Sequence, residues 1–311
     1  MQVENELAQF SPLKETLLTI GVFDGVHLGH KFLIAELVRL ATKQNLLSCV
    51  ITFRQHPRDL LSPKRKLLYL CSVPERIQLL KNEGVDIVVA LTFNRELAKL
   101  SARDFVGLLQ KHLKMHGLVI GPDFTLGRNR EGNIEALRSL GQEMGFCVIV
   151  IAPKIINGEV ASSTAIRQAL AEGNMEKVTR LMGRPFSLRG KVARGEHRGT
   201  GLGFPTVNLS IDAKMALPPD GVYATWANID GQEYQAMTNI GRRPTFGDNN
   251  ERTIESFIIN YNYDVYGKEV KIEIIQRLRE EKAFDNVEEL KKQIAEDVKR
   301  GTAILNTQGR E

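Results

Sequence analysis

The tripeptide Gly183-Arg184-Pro185 separates two stretches of chain whose hydrophobic patterns belong to different architectures. Before it, from residue 16 to about 182, strand-like and helix-like segments alternate. Residues 17–20 form a short apolar run, and 31–44 carry Leu33, Leu37, Leu40 and Ala41 at helical spacing. Residues 48–53 are dense in apolar and β-branched side chains. Ser72 is placed to cap a helix through Leu80, with Pro74 in its first turn and Glu75 closing a capping box. Residues 85–91 are apolar except for Asp86, as in a strand buried on both faces. A helix opened by Ser101 and Asp104 runs through Leu113, and 118–120 follow as a strand. A helix over 134–144 then leads to a strand over 146–152. This order predicts a parallel sheet covered by helices on both faces.

After the tripeptide the strands follow one another directly: 186–192, 206–209, 222–229, 234–238, 253–259 and 270–276. Turn residues punctuate them, among them Pro218-Pro219-Asp220-Gly221 and Asp230-Gly231. One helix closes the chain, with Asp285 and Glu288 as its expected capping box and Leu290, Ile294 and Val298 on one face. This pattern predicts a small antiparallel β-barrel with a C-terminal helix. A chain of 311 residues is long for a single core, so two domains are expected, 1–183 and 184–311.

Composition narrows the function classes. Lys and Arg number 42 against 37 Asp and Glu, a net +5 with no basic run, which suits anionic small ligands better than a polynucleotide. No nucleic-acid partner is therefore expected, and self-association is left open. Cys49, Cys71 and Cys147 are dispersed and outside any CxxC, which argues against a disulfide framework and a zinc site. The opening MQVENELAQF lacks the order of a signal peptide, and no apolar stretch approaches a membrane span. A cytoplasmic location is expected.

Two segments of the first half carry chemistry. Thr19-Ile20-Gly21-Val22-Phe23-Asp24-Gly25-Val26-His27-Leu28-Gly29-His30 runs from the first strand into the first helix of the alternating region. Its glycines permit sharp turns and close approach of a ligand. His27 and His30 lie about one helical turn apart, at a helix start where free N–H groups favour an anion. This is the HxGH pattern of nucleotidyltransfer, in which the site holds the α-phosphorus of ATP and stabilises charge as pyrophosphate leaves. The plainer alternative makes both histidines ordinary turn and helix residues. Ser162-Ser163-Thr164-Ala165-Ile166-Arg167 begins another helix and offers a second phosphate cradle.

In the second half, Gly199-Thr200-Gly201-Leu202-Gly203-Phe204-Pro205-Thr206-Val207-Asn208 is rich in glycine, but a strand follows where a dinucleotide fingerprint requires a helix. A loop over a nucleotide bound to a barrel fits better. Glu255 stands mid-strand among apolar residues, an expensive place for an unpaired carboxylate. It either serves a site, points outward, or pairs with an arginine such as Arg252.

Together these segments resemble a known family. GVFDGVHLGH, ITFRQHP at 51–57, GPDFTLG at 121–127 and SSTAIR are similar to the adenylyltransferase module of bacterial bifunctional riboflavin kinase/FAD synthetases. GFPTVN, NIGRRPTF at 239–246 and DVYG at 264–267 are similar to the flavokinase module. The resemblance implies a Rossmann-like nucleotidyltransferase domain followed by a flavokinase barrel. It implies phosphorylation of riboflavin to FMN with MgATP, then adenylylation of FMN to FAD. Riboflavin, FMN, FAD and ATP would be the partners and Mg²⁺ the cofactor. His27, His30, Ser163, Thr164 and Arg167 would contact the ATP phosphates; Gly21, Phe23 and Asp24 would shape the nucleotide pocket; Asp123 would lie near the bound substrates. In the kinase module, Gly199 and Gly203 would belong to the ATP loop, Thr206 and Asn208 would hold Mg²⁺ and phosphate, and Glu255 would be the general base. Arg277 and Arg279 would clamp the flavin end.

The chain departs from the family at Ala161, where isoleucine is usual, at Val207 for alanine, and at Phe257 for histidine. Thr200 and Gly201 stand where a basic residue is frequent. These departures keep one alternative open, a monofunctional FMN adenylyltransferase with a weak or regulatory flavokinase domain, and the +5 charge keeps a second, a flavin-sensing or RNA-binding regulator. His112 and His116 have a metal-pair spacing but no evident third ligand, and are expected on the surface. His56 is expected to shape a turn, His197 is unassigned, and Trp226 is expected in the barrel core.

Overall fold

The computed structural model describes residues 1–61, 67–193, 204–242, 252–261 and 264–309. Its contacts divide the chain into two compact units, Met1–Ser163 and Thr164–Glu311. In the first unit the elements run α1 (Gln2–Ala8), β1 (Thr16–Ile20), α2 (Leu28–Lys43), β2 (Leu47–Phe53), α3 (Pro57–Leu61) and α4 (Val73–Asn82). They continue with β3 (Ile87–Leu91), α5 (Arg95–Lys99), α6 (Ala102–Leu113), β4 (Met115–Ile120), α7 (Ile134–Met144) and β5 (Cys147–Val150). A short hairpin, β6 (Ile155–Ile156) and β7 (Glu159–Val160), precedes α8 (Ser163–Ala171).

The five main strands form one parallel sheet in the order β3-β2-β1-β4-β5. Every residue of β1 is buried, so both faces of this central strand need cover. One face packs Leu18, Ile20 and Ile51 with Phe105, Leu109 and Leu137 of α6 and α7. The other packs Leu17, Val50 and Val119 with Ile34 and Leu37 of α2 and Leu80 of α4. Ser72 caps α4 by accepting the Glu75 amide, as its spacing predicts. The strand expected from residue 85 begins two residues later. Asp86 is drawn out of it to accept the amide and hydroxyl of Ser48 at 2.8 and 2.5 Å.

The second unit continues with α9 (Met175–Met182), β8 (Phe186–Ala193), β9 (Thr206–Ser210), β10 (Gly221–Ile229), β11 (Gln232–Arg242), β12 (Arg252–Ile258), β13 (Glu269–Arg279) and α10 (Val287–Asn306). Its six strands close into a barrel, in the order β10-β11-β12-β9-β8-β13, all paired antiparallel. Alternation gives each strand an outer and an inner row. On the outer row Val222, Ala224, Trp226 and Met237 pack with Leu278 of β13 and Leu305 of α10. Trp226 is therefore buried under the helix, outside the barrel interior. On the inner row the hydroxyls of Thr225, Thr238 and Ser256 form a buried chain with 2.8 Å links, which satisfies polar groups that water cannot reach. The cap of α10 is displaced by one residue from its expected place: Asn286, not Asp285, accepts the amide of Glu289, and Asn286 donates in return to the Glu289 carboxylate.

Candidate active sites

In a doubly wound sheet, ligands bind beyond the carboxyl ends of the strands where the strand order reverses. Here the reversal lies between β1 and β4. Gly21 leaves β1 there and Gly121 leaves β4, so GVFDGVHLGH and GPDFTLG emerge from neighbouring strands at one edge.

The turn after β1 is tightly wound. Phe23 has φ +51°, Gly25 +80° and Val26 +37°. Such values cost a non-glycine residue about 1–3 kcal/mol each and persist only where the surroundings impose them. A Cβ on Gly21 would stand 3.0 Å from the Phe23 ring. The Asp24 carboxylate, 2% exposed, turns inward and accepts the Leu70 amide at 3.0 and 3.1 Å and the Cys71 amide at 3.3 Å. Asp24 thus shapes the turn from beneath. Beside it, burial pushes the Cys71 thiol up to about 12.

His27 ends the turn as the N-cap of α2. Its Nδ1 accepts the amides of Gly29 and His30 at 3.2 and 3.4 Å. An accepting Nδ1 leaves the proton on Nε2, a donor. The His30 ring stacks on it with centroids 3.6 Å apart and meets Phe23 edge-on at 5.1 Å. Gly29 lets α2 press against the strand-to-helix segment: a Cβ there would stand 2.5 Å from the Ala161 carbonyl oxygen. Ala161 is buried, as expected of a packing position. Two residues on, the Ser163 hydroxyl donates to the Asp24 carbonyl at 3.0 Å. The structure therefore brings Gly21, Phe23, Asp24, His27, His30 and Ser163 into one cluster. Thr164, exposed, and Arg167, half-buried, follow on α8. Asp123 is exposed on the turn after β4.

In the second unit, register places Asn208, Glu255 and Asn239 side by side across β9, β12 and β11, with Thr206 and Phe257 paired in the next row. Glu255 lines a cavity of about 310 Å³ between the outer face of the barrel and α10, a volume at the lower end for small-molecule sites. Thr206, Phe204, Phe257, Phe284 and Arg279 line the same cavity. Phe204 meets Phe257 edge-on at 5.3 Å. Arg252, one suggested partner of Glu255, instead pairs with Asp220 at 2.6 Å. Gly199 and Gly203 lie outside the described residues.

The two expected flavin arginines part company. Arg279 faces the cavity, where it pairs with Asp297 of α10. Arg277 donates to the Asp220 carbonyl at 2.6 Å and lines a different cavity, with Asn174 and Arg180. Alternation would put residues two apart on one face, but β13 bulges at Leu278: Val222 opposes Arg279 and its neighbour Tyr223 opposes Arg277. Sequence reasoning gave no site role to Phe284, to Asp297 or to Asn239, which opens the NIGRRPTF segment. Asp297 was detectable, since it continues the stripe of Leu290 and Ile294 one turn on. His112 and His116 face separate carboxylates, Glu4 and Glu15, from α6 and β4.

Both halves match family models. One described as FAD synthetase covers residues 10–165, and one described as riboflavin kinase covers 182–305. A curated relative described as bifunctional riboflavin kinase/FMN adenylyltransferase, from Escherichia coli (strain K12), is 35% identical over 289 residues, 92% of each chain. A protein of the same description from Listeria monocytogenes is 33% identical over 282 residues, 90% of each. A crystal structure described as a macrolide-efflux protein from Streptococcus pneumoniae superposes with a TM-score of 0.87 at 32% identity, covering 96% of each chain. That description speaks of export; among the described residues of this chain no helix is long and apolar enough to cross a membrane.

Proposed function

The chain belongs to the family of bifunctional riboflavin kinases/FMN adenylyltransferases, and on that premise we propose which of its residues perform each step. The activity is the two-step, ATP-dependent synthesis of flavin cofactors: riboflavin to FMN, then FMN to FAD. Both family models match within one chain, which favours this reading over a single activity. Change of pattern near residue 183 supports a working division into 1–183 and 184–311.

In the barrel, Glu255 takes the proton from the terminal ribityl hydroxyl of riboflavin as that oxygen attacks the γ-phosphorus of ATP and ADP departs. Phe204, Phe257 and Phe284 give the cavity flat apolar walls suited to the flavin ring. Arg279, its guanidinium engaged by Asp297, sets a wall of the cavity rather than clamping the flavin itself, and Arg277 takes no part. Thr206 and Asn208 occupy alternate positions of β9 beside the Glu255 row, and supply hydroxyl and amide oxygens. That donor chemistry fits Mg²⁺, a hard cation that keeps most of its water. When bound, the ion neutralises phosphate charge. Gly199 and Gly203 are assigned to binding the ATP phosphates.

In the proposed N-terminal domain, residues 1–183, an oxygen of the FMN phosphate attacks the α-phosphorus of ATP, forming the anhydride as pyrophosphate leaves. The Nε2 proton of His27, the imidazole of His30, the hydroxyls of Ser163 and Thr164, and Arg167 stabilise the charge that builds on the phosphates. Asp123 lies beside the FMN end. Small molecules suffice as partners, with no nucleic acid, and the cytoplasm supplies both ATP and a reducing setting for the buried thiols.

The observation that carries this reading is the capped, stacked His27–His30 pair in one unit together with Glu255 in an aromatic-walled cavity in the other. A chromatographic time course of riboflavin with MgATP tests it. FMN is expected first and FAD after it; supplied FMN that yields no FAD would refute the second step.

A further inference from the structure

Arg76 is the largest fully buried side chain among the described residues, 0% exposed, and it comes from α4, which carries none of the motif residues. Its Nη1 donates to the Phe53 carbonyl at 2.8 Å and reaches the Thr52 hydroxyl at 3.4 Å. Its Nη2 stands 3.9 Å from Asp24 Oδ1, an ion pair without a hydrogen bond. Neither Nη2 nor Nε has a hydrogen-bond partner among the described residues. The Tyr69 ring centroid lies 6.0 Å from the guanidinium carbon. The Thr52 hydroxyl in turn donates to the Val22 carbonyl at 2.8 Å. Arg76, Thr52 and Asp24 thus form a pad beneath the left-handed turn of Phe23–Val26.

A buried guanidinium with so few hydrogen bonds is a poor device for stability, since an apolar side chain of similar volume would serve at least as well. Its charge has another consequence. Asp24 is a carboxylate 2% exposed, at the base of the turn that presents His27 and His30. Uncompensated in a low-dielectric setting, it would repel a polyanion arriving at that turn.

We infer that Arg76 is a positioning residue for ATP in the adenylyl-transfer site, offsetting the Asp24 charge beneath the turn while Asp24 holds the Leu70 and Cys71 amides. This rests on the α/β unit being the adenylyltransferase. The charge makes the floor of the site neutral toward a triphosphate, and the contacts to Phe53 and Thr52 fix the floor to β2.

The test measures FAD formation from supplied FMN by the full chain, with riboflavin phosphorylation by the same samples as the internal control. Arg76→Met exposes the site to the Asp24 charge; the ATP KM of adenylyl transfer is expected to rise about ten-fold, the effect of one unit charge at close range. The kcat should move far less and riboflavin phosphorylation should be unchanged. Asn in place of Asp24 keeps an oxygen for the Leu70 and Cys71 amides without the charge. Adding Asp24→Asn to Arg76→Met should therefore recover most of the KM, and Arg76→Lys should hold it near the parent value. An unchanged KM in Arg76→Met, or a double variant no better than Arg76→Met, overturns the inference and leaves Arg76 a packing residue. Should Arg76→Met unfold the unit, the comparison of Arg76→Lys with Arg76→Gln decides: the inference requires the charged variant to keep the ATP KM near the parent and the neutral, hydrogen-bonding one to raise it about ten-fold, and equal KM values in the two overturn it. A parent chain that makes no FAD from FMN would refute the functional reading itself, before any variant is compared.

Discussion

Arg279 closes on both carboxylate oxygens of Asp297, with Nε at 3.0 and 2.9 Å and Nη2 at 2.8 Å. The pair ties the end of β13 to the middle of α10. Gln293 donates to the same carboxylate at 3.1 Å, and the guanidinium lies 5.7 Å from the Phe284 ring centroid. Gly301 admits the helix this close, since a Cβ there would meet the Met237 sulfur at 2.3 Å. Asp297→Ala should destabilise the barrel unit by about 2–3 kcal/mol, as for loss of hydrogen bonds to a charged group. It should also raise the KM for riboflavin. Urea unfolding followed by Trp226 fluorescence reads the first effect, because the single tryptophan is buried under the same helix.

The two chemistries should separate by mutation. His30→Ala is expected to lower FAD formation about a hundred-fold, as for removal of one transition-state donor, with FMN formation intact. Glu255→Ala should lower FMN formation about a hundred-fold or more through loss of the base, while supplied FMN is still converted to FAD. Assays started from riboflavin and from FMN check both. Equal damage to both steps by either substitution would refute the two-site assignment.

Gly29→Ala probes the seat of α2. The new methyl would collide with the Ala161 backbone oxygen, so either helix or loop has to shift. A loss of about 1–3 kcal/mol is expected, as for overpacking, measured by thermal unfolding of the first unit. FAD formation should fall with it and riboflavin phosphorylation should not.

The register of the last helix cap is open to a simple comparison. Asn286→Ala should cost about 1 kcal/mol, and Asp285→Ala about half that or less, in chemical denaturation. The reverse order would restore the cap expected from sequence spacing.

Most of the fold was legible in the sequence because its elements carry strong periodicity and clear punctuation. The alternation before Gly183 and the succession of strands after it correspond to the parallel sheet and the closed barrel. What escaped did so for physical reasons. In α1 only Val3 and Leu7 are buried, and two residues among seven leave no pattern to read. The ends of β11 and β13 are built from polar and charged residues that extend the ladder without adding to an apolar run. Arg76 lies in VPERIQLL, where a charged residue on an amphipathic helix ordinarily faces water, and nothing local reports a partner at Asp24. Arg277 and Arg279 were assigned together from the family resemblance, and the bulge in β13 that separates them is set by pairing with β10 rather than by local sequence. The sites were legible where chemistry clusters in sequence, as in His27 and His30. They were not where a cavity draws single residues such as Asn239, Phe284 and Asp297 from a strand, a connecting segment and a helix.

The placement of Glu255 on the outer row of the barrel, roofed by α10, also fixes when it can begin to work. Leu290, Ile294 and Asp297 complete the cavity, and they follow all six strands in the chain. During synthesis the ribosome must therefore release residues beyond β13 before this cavity exists, whereas the histidine pair is finished far earlier. A chain truncated after Asp285 would hold every strand of the barrel and lack the roof over Glu255.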